Sequence, residues 1–197
     1  MEIVRGLHNV RPHHRGAVIT IGNFDGVHLG HRAILEQLAA IGADAGAPTT
    51  LVTFEPHPGE FFSRGAAPAR LTRFREKMRA LSRSSLQSVL VLGFDHDFSM
   101  TPAETFVRRY LVEGLGVKHL LVGDDFRFGH GAEGDFSMLQ TLSGTGGFAL
   151  SRRETFALNG ERVSSTRIRQ ALTTGDLGTA GRLLGRPYSM LGRAVRG

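Results

Sequence analysis

Gly22-Asn23-Phe24-Asp25-Gly26-Val27-His28-Leu29-Gly30-His31 separates two segments of opposite periodicity. Before it, residues 17–21 (AVITI) form a short, apolar, β-branched run. After it, residues 28–42 (HLGHRAILEQLAAIG) carry apolar side chains at helical spacing and end on a glycine. The same alternation continues outward. Strand patterns at 49–54, 88–94 and 118–123 are interleaved with helical patterns at 71–83, 101–116 and 136–144. Strands that alternate with helices of this length predict right-handed crossovers and an α/β fold, with a parallel sheet covered by helices on both faces. Residues 148–156 and 161–164 are expected as later strands joined through the Asn159-Gly160 turn. Helices at 166–175 and 177–185 then lead to a tail at 186–197.

Composition narrows the function. The 197 residues include no cysteine, which excludes disulfides, thiolate zinc sites and a cysteine nucleophile. No apolar run approaches the ~20 residues of a membrane span, and the first sixteen residues are too polar for a secretory signal. A soluble, cytoplasmic protein with no membrane partner is expected. Net charge is +6, and only Lys77 and Lys118 of the 24 basic residues are lysines. That balance suits polyanions such as phosphates, nucleotides or nucleic acid. The basic residues are dispersed rather than blocked, so no nucleic-acid partner is expected.

Ligands of parallel sheets sit beyond the carboxyl ends of the strands, where the glycine-rich string lies. Gly22, Gly26 and Gly30 let the backbone turn sharply and approach a ligand. The helix that follows offers unpaired N–H groups and a positive dipole end, which suit phosphate. His28 and His31, three apart at a helix start, project to one side and can donate to a triphosphate whose charge shifts during reaction. No Gly-Lys-Ser/Thr closes the string, so it is not a P-loop. A His-x-x-His metal site with Asp25 as third ligand, and a purely structural glycine turn, both remain open on the residues alone. His8, His13, His14, His96, His119 and His130 show no partner pattern and are expected to be mostly exposed.

His-Leu-Gly-His matches the HxGH signature of a nucleotidyltransferase superfamily. The longer string resembles the adenylyltransferase (FAD synthetase) domain of bacterial bifunctional riboflavin kinase/FAD synthetases. TFEPHP (53–58), LTRFREK (71–77), VGDDFRFG (122–129), SSTRIR (164–169) and LLGRPY (183–188) follow in that family's order. The resemblance implies a Rossmann-like nucleotidyltransferase fold that makes FAD and pyrophosphate from FMN and ATP, with Mg²⁺ on the phosphates. It implies His28, His31 and Arg169 as catalytic. Gly22, Asn23, Phe24, Asp25, Gly26, Gly30, Ser164, Ser165 and Thr166 would bind ATP. Pro56, His57, Pro58, Phe62, Asp124, Asp125, Phe126 and Phe128 would bind FMN.

Those motifs also read physically. The prolines of TFEPHP fix a loop at the sheet's carboxyl edge, followed by Phe61 and Phe62, and loop aromatics suit a flat flavin ring. Either phenylalanine could equally plug a small core. Asp124 and Asp125 could accept hydrogen bonds from an amine or ribose, and Phe126 and Phe128 are expected to alternate in direction. The hydroxyls of Ser164 and Ser165 are good helix N-caps. An arginine fork suits phosphate, and the resemblance makes Arg169 a better candidate than Arg167. The same core could transfer a nucleotide to another phosphorylated substrate, or be a nucleotide-binding module without catalysis. The domain expectation is an adenylyltransferase unit over 1–185, with 186–197 an extended opening of a truncated riboflavin kinase domain. Riboflavin kinase activity is expected to be absent, and a monomer is favoured.

Overall fold

The apolar runs become the centre of a six-stranded sheet in which every pairing is parallel. The structure, a computed structural model, describes residues 1–63 and 67–192. The strands are β1 (Glu2–Arg5), β2 (Val18–Ile21), β3 (Thr49–Glu55), β4 (Ser88–Gly93), β5 (His119–Gly123) and β6 (Ala149–Arg153). Their spatial order is β1-β4-β3-β2-β5-β6. All four residues of β2, and the first five of β3 and of β4, are buried in succession, as a sheet covered on both faces requires. Ile19, Leu90, Leu120 and Val122 share one core with Leu111, Leu115 and Leu139. The alternate positions Val18, Leu51 and Leu121 are equally inaccessible. Each buried leucine contributes about 1.5–3 kcal/mol from its removal from water.

The helices are α1 (Leu29–Ala45), α2 (Pro58–Phe62), α3 (Phe74–Leu81), α4 (His96–Ser99), α5 (Ala103–Phe106), α6 (Phe136–Gly146), α7 (Ser165–Thr173) and α8 (Leu177–Leu184). Helix α5 continues as π-helical turns over Val107–Gly114. The chain divides into two compact units. Met1–Asn23, Ile34–Pro68 and Ser85–Thr155 form the first, which holds the sheet; Phe24–Ala33, Ala69–Ser84 and Phe156–Gly197 form the second. The second has its own core of Leu71, Val163, Ile168, Ala180, Leu183 and Leu184. Within the sheet, β2 lies between β3 and β5, so the chain order reverses at β2. Ligands of such sheets bind outside the carboxyl ends at that reversal. There β2 runs into Gly22 and Asn23, and β5 into Asp124 and Asp125.

Several elements differ from the sequence reading. Strand β1 is absent from it, because a four-residue edge strand with one buried side chain carries almost no pattern. Residues 148–156 do not pair with 161–164. Strand β6 instead completes the parallel sheet along the open edge of β5, over five residues in register. The Asn159-Gly160 turn, with φ 54° and 80°, joins only the antiparallel pair β7 (Ala157–Leu158) and β8 (Glu161–Arg162). The helix expected from residue 71 begins at 74, since the amides of Leu71 and Thr72 donate to Asp25. His14 is buried, its Nδ1 accepting from the Arg11 amide at 2.9 Å. The tail leaves α8 without regular structure, and the Leu191 amide donates to Glu76 at 2.6 Å. Residues 193–197 of the tail lie outside the described residues.

Leu120→Ala should cost about 2–5 kcal/mol in urea unfolding, because the cavity would lie in the middle of the sheet. A loss below about 1 kcal/mol would contradict that placement.

Candidate active site

The segment after β2 turns through three left-handed residues: Phe24 (φ 50°), Gly26 (φ 83°) and Val27 (φ 43°). Two of these carry β-carbons, and such backbone costs of order 1–3 kcal/mol per residue unless its surroundings impose it. The surroundings do. Phe24 and Val27 are buried, and a β-carbon on Gly26 would come within 2.8 Å of the Leu71 side chain. The Gly26 amide donates to Thr72 Oγ1 at 3.0 Å. From the other side Arg186 donates to the carbonyls of Gly26 (2.7 Å) and Val27 (3.2 Å).

Asp25 is the centre of this arrangement and is 5% exposed. Its Oδ1 accepts from the Thr72 amide (3.0 Å) and hydroxyl (3.1 Å). Its Oδ2 accepts from the Leu71 amide (3.0 Å) and from Arg169 Nη2 (2.6 Å). Ser165 Oγ donates to the Asp25 carbonyl at 2.8 Å. Four donors thus engage the carboxylate, as a buried charge requires.

The turn delivers the two histidines to the start of α1. Their rings stack at 3.6 Å between centroids, and Phe24 stacks on His31 at 4.4 Å. Each Nδ1 accepts the other residue's backbone N–H at 3.3 Å. Both Nδ1 atoms are therefore unprotonated in the neutral rings, and both protons sit on Nε2. Neither Nε2 has a hydrogen-bond partner among the described residues. Gly30 leaves space for the His28 ring, which a β-carbon there would approach within 3.2 Å. Burial holds the His28 pKa down to about 4; Asp25 opposes this, and the Arg186 cation reinforces it. His31 is also depressed well below the ordinary value by desolvation, with smaller contributions from His28 and the buried Lys77. The product is a pair of neutral N–H donors at a helix N-terminus.

This geometry answers the metal alternative. Asp25 is fully engaged, and each histidine already uses Nδ1 as an acceptor. The one metal-like cluster among the described residues is Glu2, His13 and His14, in the first unit. There the Arg11 amide on His14 Nδ1 leaves the proton on Nε2, the atom that faces Glu2 at 3.0 Å. A neutral ring in that tautomer has no lone pair for a metal at Nε2.

At α7, Ser164 is the N-cap and accepts from the Arg167 amide at 3.3 Å, and Thr166 is exposed. Arg167 pairs with Glu161, whereas Arg169 turns inward to Asp25 and donates through Nε to the Ala69 carbonyl at 2.7 Å. Gly22 and Asn23 belong to the first unit, where the Gly22 amide donates to the Val52 carbonyl at 3.0 Å. The structure thus brings Phe24, Asp25, Gly26, His28, Gly30, His31, Ser165 and Arg169 together. Sequence reading missed Thr72 and Arg186, although both lie in quoted motifs.

The other candidates lie at strand ends in the first unit. After β3, a cis Glu55–Pro56 bond leads to His57, which caps α2 by accepting from the Gly59 amide at 2.9 Å, with Pro58 opening the helix. Phe61 and Phe62 meet Phe94 edge-on at 5.4 and 5.7 Å, and Phe62 is 65% exposed. Phe94 continues through Phe98 into the core at Phe106. Phe94 and Phe98 were not singled out in sequence, although GFDHDF places both just beyond a strand end. Asp124 is clipped to Thr155 by its amide (3.1 Å) and hydroxyl (2.7 Å); Asp125 is exposed. Phe126 and Phe128 do not alternate: their rings stack at 5.5 Å and 14°, because the segment is a turn rather than a strand. Phe128 is a core residue, 7% exposed.

Residues 10–167 match the family model of FAD synthetase. The chain belongs to the FAD synthetase family. It is 49% identical over its whole length to a bifunctional riboflavin kinase/FMN adenylyltransferase of Pseudomonas fluorescens, and 47% identical to one of Escherichia coli K12. The chain spans 63% of the length of each of these relatives. A solved structure described as a macrolide-efflux protein from Streptococcus pneumoniae shares the fold at a TM-score of 0.85. It is 23% identical, and the match covers 95% of this chain and 61% of that one. At that identity the likeness speaks for the fold alone. No described helix is long and apolar enough to cross a membrane.

Two measurements follow from the histidine pair of this FAD synthetase family member. Nitrogen NMR of the ligand-free protein should show both rings neutral and protonated on Nε2 from pH 8 down to about 5.5. A midpoint near 6.5 for either ring would contradict the buried, mutually capped geometry. The histidine contribution to folding stability should be flat above about pH 7.5 and fall as the pH drops through 6.5 toward 4, because the unfolded histidines take up protons that the folded ones refuse. His28→Ala should flatten part of that slope.

Proposed function

We propose that the chain is an FMN adenylyltransferase, carried by residues 1–185 and working in the cytoplasm on ATP and FMN. The observation that carries this reading is the pair of neutral Nε2–H donors at the N-terminus of α1, on the turn whose Asp25 holds Arg169 at 2.6 Å. A phosphate oxygen of FMN would attack the α-phosphorus of ATP, forming a new phosphorus–oxygen bond. The bond from that phosphorus to the oxygen bridging to the β-phosphate breaks, and its electron pair leaves with pyrophosphate. His28 and His31 would donate to oxygens that gain charge, and the Arg169 fork would neutralise the departing phosphates. Neutral donors suit this task over a wide pH range, since neither needs to gain or lose a proton. Positioning and charge stabilisation are sufficient, without a covalent intermediate.

The flavin would lie at the carboxyl ends of β3 and β4, on Pro56, Pro58 and the exposed ring of Phe62, with Phe94 behind it. Mg²⁺ would travel with ATP and screen its charge. The Asp25 carboxylate, filled by four protein donors, does not fit the role of its ligand.

Incubation with FMN, ATP and Mg²⁺ should yield FAD and pyrophosphate by chromatography; their absence would defeat the reading. His28→Ala and His31→Ala should each slow FAD formation at least ~100-fold, about 2.7 kcal/mol, the low end for one preorganised donor. Arg169→Lys should remain impaired because a point charge cannot replace a fork, while Arg167→Ala should matter less. Equal losses at Arg167 and Arg169 would reverse their assignment.

A further inference from the structure

We propose that Asp25 is a positioning residue for nucleotide binding: it does not touch the triphosphate but fixes Arg169 so that one edge of the guanidinium is presented to it. The proposal rests on the adenylyltransferase reading. Arg169 is pinned along its Nε–Nη2 edge, by the Ala69 carbonyl at 2.7 Å and by Asp25 Oδ2 at 2.6 Å. Its Nη1 makes no hydrogen bond among the described residues, and the side chain keeps 21% of its surface accessible. A guanidinium held in this way keeps its plane, its rotamer and its remaining N–H groups in one orientation. A free arginine would surrender rotamer freedom on meeting a phosphate, and here that ordering has already taken place.

The carboxylate itself has no room for a second role. Its two oxygens take four donors, two of which come from consecutive backbone amides, Leu71 and Thr72. A nucleotide hydroxyl or a cation would have to displace one of them and leave it buried without a partner. The neighbouring Arg167 shows the contrast. It pairs with Glu161, which is exposed, and such a pair neither fixes geometry nor contributes much energy. Asp25 also sets the backbone around it. The same residue receives Ser165 on its carbonyl, and Thr72 bonds both its carboxylate and the Gly26 amide. The arginine, the start of α7 and the glycine turn are therefore registered to one another through a single side chain.

The test compares Asp25→Asn, Arg169→Ala and the double variant in steady-state FAD synthesis. The expected result is a KM for ATP raised tenfold or more in Asp25→Asn, with the KM for FMN within about twofold of wild type. In the KM for ATP, the double variant should lose less than the product of the two single losses, because that part of the effect of Asp25 passes through the arginine. A folded Asp25→Asn protein with unchanged ATP kinetics, or losses that multiply in the double variant, would overturn the proposal. Should Asp25→Asn fail to fold, arginine-side-chain NMR of the wild-type protein decides. The Nη2 hydrogens of Arg169, which donate to Asp25, should exchange slowly in the free protein and keep their shifts when α,β-methylene-ATP binds. Loss of that protection on binding would mean that Arg169 leaves Asp25, and would also overturn the proposal. If wild type makes no FAD, the adenylyltransferase reading fails, and the same titration still reports whether Asp25 fixes Arg169 toward a nucleotide.

Discussion

The hydrogen bonds around the Asp25 carboxylate hold a turn that its own backbone would refuse. Phe24 and Val27 adopt left-handed conformations without being glycine, and Gly26 does so where no side chain would fit. Strain of this kind persists only where the surroundings over-determine it. Here the carboxylate draws in Leu71, Thr72 and Arg169, and Arg186 holds the outer carbonyls. After the turn, α1 begins at Leu29, and the two histidine rings stack with each Nδ1 on the other's amide.

From that constraint follows the electrostatics of the site. Burial and neighbouring cations keep both rings neutral, so the turn offers hydrogen-bond donors without added charge. Positive charge is supplied separately, by Arg169 and by the dipole of α1. Asp25, paired with Arg169 at 2.6 Å, offsets part of it. The histidine donors do not titrate around neutral pH, and the Arg169 guanidinium keeps its proton there.

Much of this was legible in the sequence, and the remainder was hidden for a physical reason. The α/β class followed from alternating periods, and the glycine-rich string marked the sharp turn between β2 and α1 because glycines there permit left-handed backbone. The partners of Asp25 were not legible. They lie 46 to 144 residues away, and hydrogen bonds to backbone amides leave no side-chain signature. Phe128 read as a ligand-facing aromatic but packs into the core, since a turn obeys no alternation rule. Strand β6 read as half of a hairpin because a glycine turn followed it, while the open edge of β5 offered a longer ladder.

The central claim is that the histidine pair stabilises a single in-line displacement and never itself accepts the nucleotidyl group. Stacked imidazoles beside a nucleotide could in principle form a phosphoramidate, so the distinction is chemical and sharp. The measurement is the stereochemical course at phosphorus, with FMN and one diastereomer of ATP carrying sulfur at the α-phosphorus. One displacement predicts FAD with inverted configuration at that phosphorus. Retention would show two displacements through an enzyme-bound adenylyl group and would contradict the account.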